Sequence, residues 1–73
     1  MSESKSFTIK QGEEYIELIK LLKVLNIAES GALAQILVSN GDVKRNNVVE
    51  LRKRAKIRRG ETIEVLGRVI NIE

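Results

Sequence analysis

Between Lys44 and Arg59 the chain carries eight basic residues and a single acid, Glu50, with apolar residues threaded among them. Eight like charges cannot be buried together, so this segment has to run along a surface while its apolar members reach a core beneath it. From Val49 to Arg59 the odd positions Val49, Leu51, Ala55 and Ile57 are apolar, and Arg52, Arg54, Lys56 and Arg58 take even ones. In an extended segment that alternation sends the four cations to one side and places Leu51, Ala55 and Ile57 inside. A basic helix is the competing reading, but these apolar positions fit a helical stripe less well.

The charge is segregated. The segment from Lys44 to Arg59 sums to 8 − 1 = +7, and the other 57 residues hold 5 basic and 9 acidic side chains, a balance of −4. A concentrated positive patch on a mildly acidic body is the distribution of a surface that meets a polyanion. The formal charge of +3 and the sequence pI of about 9.5 would say less by themselves. With 73 residues, 42% of them hydrophobic, one small domain is expected, its apolar residues mostly consumed by the core. The absence of Cys and His removes disulfides, thiolate chemistry and the metal sites that need those ligands. No stretch approaches the roughly 20 apolar residues of a membrane span, and the start lacks a secretory apolar region, so a cytoplasmic protein is expected.

Taken in order, residues 1 to 5 are polar and expected to fray, and Phe7 to Ile9 alternate as a short strand. Tyr15, Leu18, Ile19, Leu22 and Leu25 fall at helical spacing, which predicts an amphipathic helix from Glu13 to Leu25. Glu13 and Glu14 would sit in its first turn, favoured there by the macrodipole, without any acid–base or metal role. Ser30 is a candidate N-cap of a second helix that runs to about Asn40 with Leu33, Ile36 and Leu37 buried; as a nucleophile it would lack a base. Gly41 then supplies the left-handed C′ residue. Val43 to Arg45 and Val48 to Leu51 flank Asn46 and Asn47, which predicts a hairpin. A turn at Arg59, Gly60 and Glu61 leads to strands at Thr62 to Val65 and Arg68 to Ile72, broken at Gly67. Glu61 and Glu64 are expected to be surface partners of Arg58, Arg59 and Arg68. The fold class is α+β: a two-helix hairpin packed on a small, mostly antiparallel sheet.

Glu29, Ser30, Gly31 and Ala32 opening the second helix, Gly41-Asp42-Val43-Lys44 after it, Asn46 in the turn, Glu50 to Ile57 read as ELRKRAKI, and Gly60 carry a resemblance. In their order and spacing they resemble the S4-like RNA-binding domain, in its small stand-alone bacterial form of the YbcJ and YaaA type, over roughly Phe7 to Val65. The resemblance implies the alpha-L arrangement of the two helices and hairpin, and a positive surface for structured RNA of the ribosomal or transfer RNA type. By position that surface would hold Gln35, Lys44, Arg52, Lys53, Arg54 and Lys56. The charge reading adds Arg45 from the hairpin and Arg58 from the alternation. The chain departs from the family pattern at Asn47, where Gly is common, at Arg45, where an apolar residue is common, and at Gln35, where Lys is common; the last two move charge from helix to hairpin.

The function expected is therefore RNA binding without catalysis and without a cofactor or metal, by a monomer, with the ribosome a candidate partner. The single Phe and single Tyr lie outside the basic segment, so no stacking platform for unpaired bases is expected, which favours recognition of shape and backbone. The alternative is an anionic membrane or an acidic protein partner met by the same polybasic segment.

Overall fold

The structure, a computed structural model, describes residues 3–73. Seven strands and two helices follow in the order β1 (Glu3–Phe7), β2 (Tyr15–Glu17), α1 (Leu18–Val24), α2 (Gly31–Ser39), β3 (Val43–Arg45), β4 (Val48–Val49), β5 (Lys56–Arg58), β6 (Thr62–Val65) and β7 (Arg68–Ile72). Five of the strands form one sheet in the order β1-β7-β6-β3-β4, in which only β1 and β7 run parallel, and β2 pairs with β5 in a separate antiparallel ribbon. The expected α+β class, two helices with a mostly antiparallel sheet, is the one observed.

One apolar cluster ties these layers together. Leu18, Leu21 and Leu22 of α1, Ala34 and Val38 of α2, Ile16 and Ile57 of the ribbon, and Val43, Ile63, Val65, Ile70 and Ile72 of the sheet are all buried in it. In β6 and β7 the buried residues Ile63, Val65, Ile70 and Ile72 recur at period two, as the sequence pattern requires.

Both helices end as expected of their sequences. Ser30 Oγ accepts from Leu33 N at 3.3 Å, which makes it the N-cap of α2. At the other end Gly41 has φ +77°, Gly41 N donates to Val38 O at 3.1 Å and Asp42 N to Leu37 O at 3.1 Å, a complete Schellman motif. The connection after α1 closes in the same way, with Asn26 at φ 59° as its left-handed residue and Ile27 N on Leu22 O at 3.0 Å. Asn46 and Asn47, at φ 52° and 70°, form the hairpin turn between β3 and β4.

Four expectations are corrected. The first helix starts at Leu18 instead of Glu13, because Tyr15, Ile16 and Glu17 pair with Arg58, Ile57 and Lys56. Tyr15 and Leu18 stand at helical spacing, but Ile16 and Leu18 are two apart as in a strand, and tertiary pairing decides; Glu13 and Glu14 consequently lie outside any helical turn. The face of α2 is rotated: Ala34 and Val38 are buried, Leu33 and Ile36 are 44% and 52% exposed, and Leu37 is half-buried.

Residues 3–5, where fraying was expected, are part of a strand. They belong to β1, in parallel register with Arg68, Val69 and Ile70, whereas residues 1 and 2 lie outside the described residues. Its Ser4, Lys5 and Ser6 are exposed, so the strand rests on backbone pairing that no apolar alternation announces; Ile9 N donates to Glu73 O at 2.7 Å and prolongs the pairing beyond Phe7. Finally, Leu51 is 60% exposed where an inward position was expected, and the acid beside it is buried instead.

Candidate nucleic-acid interface

Glu50 is the buried charged residue among those described, at 8% exposure. Its backbone N–H donates to Val43 O at 2.9 Å, which turns the chain inward after β4 and leaves Val49 and Leu51 outside. The carboxylate is met by both flanking guanidinium groups. Arg52 donates to it from N at 3.1 Å, Nε at 3.1 Å and Nη2 at 3.2 Å, and Arg45 from Nη1 at 3.3 Å. A carboxylate with this many donors stays ionised: the Arg52 guanidinium first, then the Arg52 N–H and Arg45, outweigh burial and hold the Glu50 carboxyl down at about 2.

Arg45 extends the network. Its Nε and Nη2 grip Glu61 in a fork, at 2.6 Å to Oε2 and 2.9 Å to Oε1, and Nη2 also reaches Lys56 O at 2.8 Å. Glu61 in turn accepts from Arg58 N at 2.7 Å and from Asn46 Nδ2 at 3.1 Å, so its carboxyl lies below the ordinary range chiefly through Arg45. Two residues singled out in the sequence meet in this network. Arg45, expected among the RNA contacts, has its guanidinium engaged in tying β3 to β5 and to the turn before β6, with 20% of its side chain exposed. Glu61, expected to serve neighbouring surface cations through its side chain, pairs with Arg45 across 16 residues of sequence. The half-buried position of Arg45 is thus filled by a cation neutralised on two sides.

Arg59 is also structural. Its Nη1 donates to Glu13 O at 2.8 Å, and Nη2 to Ile9 O at 3.2 Å and Lys10 O at 3.3 Å, fastening the loop between β1 and β2. Two guanidinium groups and two carboxylates cancel in the Arg45–Glu50–Arg52–Glu61 network, so the +7 of the segment overstates what faces solvent.

The remaining cations are gathered by a turn followed by a strand. Ala55 N donates to Arg52 O at 3.2 Å, closing a turn, after which β5 runs antiparallel to β2. Arg52, Arg54, Lys56 and Arg58 thereby line one open groove of about 470 Å³, together with Arg45 and the buried Ala55 and without a carboxylate in its wall. These are the four even-numbered cations of the sequence alternation; they share a face although the chain through them is not a continuous strand. Three-quarters of the Arg52 side chain remains exposed despite its hold on Glu50, and Arg58 has a long, exposed pairing with Glu14 at 3.8 Å.

The other expected contacts fall outside this groove. Lys53 is exposed in the turn. Lys44 lies in register with Val49 and Glu64 on its neighbouring strands, one position from Arg45 and therefore on the opposite face of the sheet. Gln35 is exposed on α2.

One residue of the site was missed in the sequence. Tyr15, 43 positions before Arg58, is its partner across the ribbon, and Lys56 Nζ and Arg58 Cζ lie 5.1 Å and 5.8 Å from the centre of its ring. The strand pairing of residues 15–17 brings an aromatic to the basic face that the linear sequence keeps apart from it. Only recognition of β2 as a strand could have revealed it.

The sequence model of the S4 domain family matches residues 7–73 of this chain. The protein named Putative RNA-binding protein YbcJ, from Escherichia coli (strain K12), is 41% identical over 58 residues, which cover 80% of this chain and 83% of that protein. YbcJ of Shigella flexneri matches with the same identity and coverage. The solution structure of Escherichia coli YbcJ superposes with a TM-score of 0.72 at 38% identity, over 99% of this chain and 90% of that one, and is described as revealing an alpha-L motif involved in RNA binding.

Proposed function

The chain belongs to the S4 domain family, and from that premise we propose that it is a non-enzymatic RNA-binding protein whose ligand is folded RNA of the ribosomal or transfer RNA type. The observation that carries this reading is the groove of Arg52, Arg54, Lys56 and Arg58, four cations on one face with no acid in the wall. Such a surface gains affinity by releasing counterions from phosphates, and the Arg54 and Arg58 guanidinium groups add planar, bidentate contacts. The RNA-binding motif described for YbcJ supports the same assignment. Lys53, from the turn beside the groove, adds to the contact set, and Lys44 and Gln35 are secondary to it.

The test is binding of a structured RNA and an unstructured strand of equal length to wild type and to the Arg54→Ala/Lys56→Ala double variant. The double variant is expected to lose affinity by about the same factor across RNA sequences, since phosphate contacts position without specifying, and to keep its stability, since exposed cations contribute little. Wild-type affinity in the double variant would make the groove a merely solvated face. Preference for the unstructured strand would keep RNA binding and remove recognition of shape.

A second reading has one observation in its favour. Val48, Val49 and Leu51 are exposed beside the basic turn, so aliphatic side chains are available to an anionic membrane surface. None of them lines the groove, and anionic liposomes included in the same titration separate the two ligands.

A further inference from the structure

We propose that Tyr15 is a stacking site for one unpaired base, so that the ligand is a folded RNA with an unpaired nucleotide beside its stem; this rests on the RNA-binding reading above. The juxtaposition is specific. Lys56 and Arg58 line the groove and also lie over the Tyr15 ring, so the ring stands at the end of the phosphate-binding surface. Tyr15 is 37% exposed, on the outer side of a two-stranded ribbon whose inner residues, Ile16 and Ile57, hold it to the core.

The surroundings give the site a direction. Tyr15 also borders a depression lined by Glu13, Glu14, Glu17 and Lys20, a net acidic wall that disfavours phosphate there. Phosphates are drawn toward the ring by Lys56 and Arg58, which lie over it. A nucleotide whose phosphate is held by those two cations carries its base toward the phenol. Base–aromatic stacking tolerates any base, because each presents a π face. Extracting a base from an intact duplex costs unstacking and unpairing, which a nucleotide already bulged from its stem does not require. The site thus distinguishes an interrupted stem from a continuous one without reading sequence.

The competing role for Tyr15 is structural, in which the ring merely holds Lys56 and Arg58 in place through cation–π contacts. Three hairpins of identical stem decide between them: one uninterrupted, one with a single-nucleotide bulge, one with an abasic bulge. The chain has one Tyr and no Trp, so tyrosine emission reports on Tyr15 alone.

The bulged hairpin is expected to bind roughly five- to a hundredfold more tightly than the other two and to quench the emission at saturation. Tyr15→Leu, which keeps an apolar side chain over the ribbon, should abolish that preference, and Tyr15→Phe should retain it. Equal binding of all three hairpins with unchanged emission overturns the stacking site and leaves RNA binding standing. A Tyr15→Leu variant that weakens all three equally also overturns it, in favour of the structural role. Failure of wild type to bind any of them overturns the RNA reading itself.

Discussion

Glu50 has two consequences at the level of single residues: it makes the inward bend after β4 possible, and it orients Arg52 along the groove. Replacing it with Gln leaves Arg45 half-buried with one carboxylate fewer and removes a charge-assisted acceptor from three Arg52 donors. Glu50→Gln is expected to cost on the order of 1–3 kcal/mol, read as a lower urea midpoint at neutral pH. The pH dependence has a definite sign. The folded carboxyl, at about 2, lies below its ordinary value of 4.5, so its stabilisation is fully present above pH 4.5 and is lost as pH falls toward 2. Glu61, depressed by Arg45, contributes in the same direction. The wild type should therefore lose stability across that acid range more steeply than Glu50→Gln, and parallel acid profiles for the two proteins would remove the network from the account.

The elements differ in how far their residues announce them. The second helix is bounded by residues that act locally, and both ends were legible: Ser30 caps, and Gly41 turns left-handed. A Cβ at Gly41 would meet Val49 Cγ1 at 3.7 Å, an ordinary contact, so the cost of a side chain there comes from the backbone at φ +77° and not from crowding. Gly41→Val is expected to destabilise by about 1 kcal/mol or more, and an unchanged denaturant midpoint would remove the C-cap assignment. The strands β6 and β7 were equally legible, because alternation marks their buried faces. What the sequence hid are the elements whose partners are remote. β1 has no apolar alternation and is made by β7; Tyr15–Glu17 looks helical and is made a strand by β5. The candidate site divides the same way. The four cations of the groove follow from local periodicity, whereas the withdrawal of Arg45 and Arg59 and the arrival of Tyr15 depend on pairings over 16, 46 and 43 residues of sequence.

For the whole molecule, the sorting of charge sets how affinity responds to salt. The acidic body and the internal cancellation of Arg45 and Arg52 against Glu50 and Glu61 confine the effective positive field to the groove and its turn. If Lys53, Arg54, Lys56 and Arg58, the cations of the groove and its turn left outside that network, neutralise about four phosphates, the logarithm of affinity should fall with the logarithm of salt at a slope of roughly −3 to −4, from the coefficients for single and double strands. Arg54→Ala/Lys56→Ala should make that slope shallower by roughly 1 to 2. Position in the sheet adds a sharper comparison. Lys44 and Lys56 are both exposed lysines of the basic segment, each facing a glutamate across its strand pair, Glu64 and Glu17, but of the two it is Lys56 that lines the groove. Lys56→Ala should therefore shift the slope by close to one phosphate and Lys44→Ala by much less. A salt titration of the two single variants against one structured RNA measures this directly. Equal shifts would mean that the RNA reads the net charge of the segment and not the groove, and the geometric reading of the interface would fall.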